Sequence, residues 1–509
     1  MTGSDNLFLL IKSLSKAEKR NFKLLVSRVG DTESNYIKLF DAIDRQKDYD
    51  EKNIKKIFKN ETFIKQLTFT KNYLYNLILE SLRNISKEES VEFKLRTMLK
   101  NAEILFNKTL YNQSGLILER AKKLALENEK HLFVLQVLGF QSKLMLRESD
   151  LKTMESEMNQ IYLDEMECLK KQENLSEISF RSLLMLYHTR KVNVVRSKEE
   201  LEPFDQIISH PVFEKEENCL SSHARFHFIN TYSLYYRIKN EPEKLYTWRK
   251  RLLDYMESNA KLCETESEQY FVALNNLIYA CINIGNYEEA LTMLDRMELI
   301  KTHNEDQKVL VLTSRRNLRF AALFYLGEFE KAADELENDP IEELNEKMYN
   351  NQKQPFNYYN ALIYFALADY KKALFWINKV MEDKEKDFRQ DLHNFARILN
   401  LVIHYELGNT LQVEYYVKQT YRYMYSRSRL YKAEWLVMNF LRDASKINHN
   451  YDLVPLFDKL KKDIIELTKD PYEKKLFDYI DFVSWLQSKT EGRTFAEVRR
   501  ENIKLGQKT

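Results

Sequence analysis

The chain has 509 residues, 44% hydrophobic and 31% charged, with a net charge of +2. That balance belongs to a folded globular chain, excludes a disordered one, and argues against a general coat for nucleic acid. Only 9 glycines and 7 prolines occur, too few for the turns of sheet-rich or doubly wound folds, so an all-α fold is expected.

Cys168, Cys219, Cys263 and Cys281 are scattered without a C-x-x-C pair, which favours free thiols in a reducing compartment. The first five residues lack a basic lead, and the apolar run at 7–11 is too short for a signal sequence. No run approaches the ~18 apolar residues of a membrane span. A cytoplasmic chain with no membrane partner is expected.

Residues 1–90 read as a helical unit of their own. Asp5 precedes a short helix at 7–14, and Ser15-Lys16-Ala17-Glu18 spells a capping box for the next, which carries Phe22, Leu25 and Val26. Gly30-Asp31 ends that helix. Tyr36, Leu39, Phe40 and Ile43 mark a third, 53–58 a fourth, and 69–85 a long fifth with Leu74, Ile78 and Leu82 on one side. Residues 1–85 hold 16 Lys and Arg against 11 Asp and Glu, a difference of +5, with Lys55, Lys56, Lys59, Lys65, Lys71 and Arg83 among them. Two readings follow: a helix-turn-helix that grips DNA, or a cap on the open end of a repeat array. The cap is favoured, because basic helix faces are usually just solvated and the 60–68 linker exceeds a compact turn.

Helix pairs fill 91–490. Residues 99–107 and 112–128 make one pair, 132–146 and 151–171 another, and 178–187 opens a third. The stretch 192–217, with Pro203 and Pro211, is a long connection or a joint between two halves. Residues 226–238 and 242–256 resume the pattern, with Pro242 suited to a first helical turn.

A repeat then becomes explicit. Ile284-Gly285-Asn286-Tyr287-Glu288-Glu289-Ala290 is echoed by Leu326-Gly327-Glu328-Phe329-Glu330-Lys331-Ala332 and by Leu367-Ala368-Asp369-Tyr370-Lys371-Lys372-Ala373. A fainter copy is Leu407-Gly408-Asn409-Thr410 with Val413. The turn residues stand at 285, 327, 368 and 408, in steps of 42, 41 and 40. A small residue lets one helix end in a left-handed conformation. The aromatic two places on wedges between helices, and the alanine five places on lets them approach. Apolar residues flank each turn at a 3.6-residue period.

This pattern of small residue, polar residue, aromatic, two polar residues and alanine resembles a tetratricopeptide repeat. The period is longer than that family's usual ~34 residues, and longer helices or loops would absorb the difference. The resemblance implies a right-handed α-solenoid of antiparallel helix pairs with a concave binding groove. It implies an adaptor or scaffold role rather than chemistry.

Beyond the clear copies, 338–354 is a polar insert, and 395–405 with 411–420 is the degenerate fourth repeat. Residues 430–441 and 453–467 form a further pair. Residues 472–486 make a last helix with its outer face in solvent, and 491–509 a frayed or short basic tail.

No phosphate-binding glycine loop, nucleophile elbow or H-E-x-x-H occurs, so no cofactor is expected. Cys219, His223 and His227 fall at i, i+4 and i+8. About 12 Å of helix rise separates the outer two, so an ordinary packed face is favoured over a metal site. Paired carboxylates such as Glu288-Glu289 and Glu342-Glu343 match any solvated helix face.

The stretch 421–432 stands apart. It holds Tyr421, Tyr423, Tyr425 and Tyr431 with Arg422, Arg427, Arg429 and Lys432, and no acid. Arg422, Tyr425 and Arg429 share a face if the segment is helical. Arginine forks grip carboxylates or phosphates, and tyrosines stack or hydrogen-bond. Arg422, Tyr425, Arg427 and Arg429 are therefore a candidate clamp for an acidic peptide, a peptide C-terminus or a nucleic-acid strand. The plainer reading is a basic turn with tyrosines packed between repeats. The expected function is a non-enzymatic adaptor that binds a protein or peptide. A ligand-controlled DNA-binding regulator comes second and an enzyme last.

Overall fold

The computed structural model describes all residues except 1–2, 30–34, 86–89, 149, 193–194, 196, 260–262, 264–266, 301, 303–304, 339–347, 349, 383–389, 427–430, 448–449, 471–472, 474–476, 478 and 506–509. Every regular element among the described residues is a helix. Packing divides the chain into two units, Met1–Gln172 and Glu173–Thr509.

The first unit opens with α1 (Gly3–Ser13), α2 (Lys16–Val29), α3 (Asn35–Asp44), α4 (Glu51–Ile57) and α5 (Leu67–Ile85). Leu7, Ile11, Phe22, Phe40, Ile43, Leu74 and Ile78 form their core. The capping box is made reciprocally: Glu18 N–H donates to Ser15 Oγ at 3.3 Å, and Ser15 N–H donates to the Glu18 carboxylate at 2.7 Å. The stretch expected as a linker is mostly helical. A 3₁₀ turn, Thr62–Gln66, runs straight into α5 and buries Phe63 against Phe58 at 5.3 Å.

A second core, with Leu95, Ala102, Leu118, Ala121, Val134 and Leu138, gathers α6 (Val91–Asn107), α7 (Tyr111–Glu127), α8 (His131–Glu148) and the start of α9 (Leu151–Val192). The apolar pattern splits α9 into two helices, but it is one helix of 42 residues. The physical reason is that neither Gly nor Pro occurs between 151 and 192, so nothing breaks the backbone ladder where the apolar period lapses. The division between the units falls inside it.

The second unit continues with α10 (Lys198–Ile208), 3₁₀ turns at Pro211–Phe213 and Glu216–Asn218, α11 (Ser222–Ile238) and α12 (Pro242–Ser258). Pro242 occupies the first turn of α12, where its missing N–H costs nothing. Then come α13 (Ser267–Ile284), α14 (Tyr287–Glu298), α15 (Glu305–Leu326), α16 (Phe329–Asn338), α17 (Asn350–Ala366), α18 (Tyr370–Met381), α19 (Gln390–Glu406), α20 (Thr410–Tyr425), α21 (Lys432–Ala444) and α22 (Asn450–Leu467). Two more helices end the described chain, α23 (Phe482–Glu491) and α24 (Phe495–Lys504).

The turns bear out the repeat. Gly285, Gly327 and Gly408 have φ of 83°, 80° and 69°, and Ala368 takes 58° at the equivalent place. At each, the next residue's N–H reaches back five residues: Asn286 to Cys281, Glu328 to Leu323, Asp369 to Tyr364 and Asn409 to His404, all at 2.9–3.0 Å. Thr109 and Asn240 make the same turn after α6 and α11, without a glycine to announce it. Because a Cβ is strained in the left-handed region, Ala368→Gly is expected to stabilise the chain by about 1 kcal/mol. Urea unfolding checks this, and a loss of stability would contradict it.

Ala290, Ala332 and Ala373 are fully buried at the helix crossings. Consecutive helices pack throughout the repeats, α13 on α14 and α17 on α18 among them. The first helix of each pair also packs on the first helix of the next, in the order α13, α15, α17, α19 and α21. These five form a continuous layer.

Candidate functional site

The layer of first helices is more buried than an amphipathic helix on a surface would be. In α19, residues 392–396 and 398–404 are all buried. The second helices pack against this layer, and the chain's own C-terminal segment makes further contacts with helices of both kinds.

That segment runs back across the repeats. Glu473 accepts from the backbone N–H groups of Lys432 (3.3 Å) and Ala433 (3.0 Å), so a distant carboxylate caps the start of α21. Tyr479 stacks on Phe395 at 4.0 Å, and its carbonyl accepts from the Tyr358 hydroxyl at 3.2 Å. Trp485 of α23 is buried among Tyr405, Phe440, Phe457 and Phe482. Its Nε1 donates to Glu406 at 2.6 Å, and Lys489 Nζ donates to the same carboxylate at 2.5 Å. The Glu406 side chain is only 5% exposed. Burial, with this charge beside it, pushes the Tyr405 phenol up to about 12 and raises Tyr370 as well.

The next helix, α24, docks on the second repeat. Phe495 meets Phe329 and Phe365 with ring centroids 6.5 and 5.5 Å away. Arg500 Nε donates to the Gly327 carbonyl at 2.9 Å, and its guanidinium pairs with Glu330. Arg499 pairs with Asp481 at 2.9 Å, both side chains being nearly buried. Of the stretch expected as a last solvent-facing helix, 472–486, the described residues 473, 477 and 479–486 are all buried or half-buried and the helix begins only at Phe482, while 495–504 form a docked helix with a complete capping box at Thr494 and Glu497. The aromatic run Tyr479, Phe482, Trp485 was the signal for this, since a solvated terminus has no use for it.

The candidate clamp divides. Arg422 and Tyr425 lie on the last turn of α20, both exposed, Tyr425 at 68%. Tyr421 stacks on Tyr425 with centroids 5.8 Å apart, while Tyr423 turns inward beneath the Arg397 guanidinium at 3.9 Å. Arg427 and Arg429 lie outside the described residues.

The basic face of α4 and α5 is partly neutralised. Lys71 is buried and pairs with Glu51 at 2.6 Å, and Lys55 pairs with the same carboxylate at 2.7 Å. Hydrogen bonds from these two lysines hold Glu51 down at about 2, despite its partial burial. Lys56, Lys59 and Lys65 stay exposed.

Cys219 does not share a helix with His223 and His227. It ends a 3₁₀ turn in extended backbone, three residues before α11 begins, and burial pushes its thiol up to about 11. Among the described residues no group of three or more His, Cys, Asp or Glu is placed to hold a metal ion. Glu289 serves packing: burial raises its carboxyl, but hydrogen bonds from Tyr246 (2.7 Å) and Lys250 (3.1 Å) outweigh this and lower it. Glu342 and Glu343 lie outside the described residues. No described helix is long and apolar enough to cross a membrane. No protein-family model matches this chain, and no curated protein matches it.

Proposed function

We propose that the chain is a non-enzymatic adaptor or scaffold, tetratricopeptide-like, whose stacked first helices hold a protein or peptide partner. One observation carries the reading. Residues 479–491 already contact first helices at Phe395, Tyr358, Tyr405 and Phe440, and 495–500 dock on the adjoining turn at Gly327 and Glu330, seated by aromatic anchors and by charged hydrogen bonds. A surface that seats one polypeptide segment this way has the chemistry to seat another. An anionic-ligand clamp of Arg422, Tyr425, Arg427 and Arg429 is part of the proposal, and the exposure of Arg422 and Tyr425 on the last turn of α20 supports it.

The clamp has a direct test. Fluorescence anisotropy with a labelled oligoglutamate peptide compares the natural chain with Arg422→Ala/Arg429→Ala. Binding should weaken about tenfold and lose most of its salt dependence, since two charge-assisted contacts are removed. Unchanged binding, with helical content intact, discards the clamp.

A further inference from the structure

The two C-terminal helices share one core but are anchored in it to different depths. Helix α23 puts Phe482, Trp485 and Leu486 into the main core. Helix α24 buries Phe495, Ala496, Val498, Arg499 and Asn502, and of these only Phe495 and Ala496 join that core, so a single aromatic anchors it there and its face carries a buried guanidinium. Its attachments include the Phe495 contacts with Phe329 and Phe365, the Arg499–Asp481 pair, an Asn502–Ser484 hydrogen bond of 3.0 Å, and Arg500 on Gly327 and Glu330. Ion pairs of this kind cost little to separate when both partners return to water.

The joint between the helices suits release. Gly492 ends α23 in the left-handed region, φ 65°, and only Arg493 and Thr494 precede α24. The site under α24 is a turn of the repeat itself: the wedge aromatic Phe329, the turn carbonyl of Gly327 and the first-turn carboxylate of Glu330.

We propose that α24 is a resident ligand, docked in cis on the site where the second repeat binds a partner helix. The partner is an amphipathic helix with an aromatic anchor and an arginine five places on, the spacing of Phe495 and Arg500. This rests on the adaptor reading and names the partner's class. Release of α24 opens the site, and the partner's apparent affinity falls by the fraction of time the site is covered.

A fluorescein-labelled peptide of residues 492–509 tests it against the full-length chain and against full-length Phe495→Ala/Arg500→Glu. The variant weakens the tethered helix and leaves its receptor surface intact. The peptide should bind the variant at least about tenfold tighter than the natural chain. Adding Glu330→Arg should abolish that gain. Equal binding to both chains, or none to either, overturns the proposal.

A second measurement needs no variant. In native-state hydrogen exchange, the amides of 495–504 should open together and faster than those of 482–491. Equal protection of the two helices also overturns the proposal. If the peptide result fails while oligoglutamate still binds through Arg422, only the resident helix is lost and the adaptor reading stands.

Discussion

Trp485→Ala should cost the second unit about 3–5 kcal/mol, the range for removing a fully buried large aromatic. The indole packs among Tyr405, Phe440, Phe457 and Phe482, and these come from α19, α21, α22 and α23. Its loss opens a cavity where four helices meet. It also takes one of the donors from Glu406, a nearly buried carboxylate. Trp485→Phe separates the two effects. It keeps most of the ring and loses the N–H, so it should cost about 1.5–3 kcal/mol, the value of a hydrogen bond to a charged group. Trp248, Trp376, Trp435 and Trp485 all lie in the second unit, so the urea transition seen by tryptophan fluorescence reports that unit alone. A shift below 1 kcal/mol for Trp485→Ala, with the slope unchanged, would mean that α23 is not part of the core.

How much of this was legible depends on the range of the interaction. The repeat turns were legible because a left-handed residue must be small. Gly285, Gly327 and Gly408 declare it, and Ala368 follows by position. The fully buried alanines follow from the same local constraint. Thr109 and Asn240 make the same turn without a glycine, so the earlier pairs showed only apolar spacing. The continuity of α9 was hidden because Glu173 and Ser176 interrupt its apolar pattern without breaking its backbone. The loss of Lys71 from the basic face needed knowledge of Glu51, which the fold brings to it from another helix. The return of the C-terminal segment was hardest. Arg500 meets Gly327 across 173 residues of sequence, and no local pattern encodes that. For the clamp, helical spacing placed Arg422 and Tyr425 on one exposed turn, but spacing cannot say which surface that turn adjoins.

Asp481→Asn should detach α24 while leaving most of the second unit folded. Asp481 has two roles. It caps α23 by accepting from Ser484 N–H at 2.9 Å, and it pairs with Arg499 at 2.9 Å, the two side chains being 7% and 8% exposed. Asparagine caps a helix about as well as aspartate, so the first role survives. The second does not. Holding Arg499 buried without that carboxylate would cost about 3–5 kcal/mol. Only Phe495, Ala496 and Val498 of α24 are buried apolar residues, and ordering ten residues consumes most of what they contribute. The cheaper course is for α24 to leave and for Arg499 to return to water. Amide exchange across 495–504 should then rise at least about a hundredfold, the equivalent of 3 kcal/mol, while the tryptophan-detected unfolding midpoint moves little. Asp481→Asn/Arg499→Met replaces both charges, removes the reason to leave, and should restore protection. If exchange in 495–504 stays unchanged in Asp481→Asn, the carboxylate is not what holds α24 in place. If the tryptophan midpoint falls by the full amount instead, α24 is an integral part of the unit and cannot be released alone.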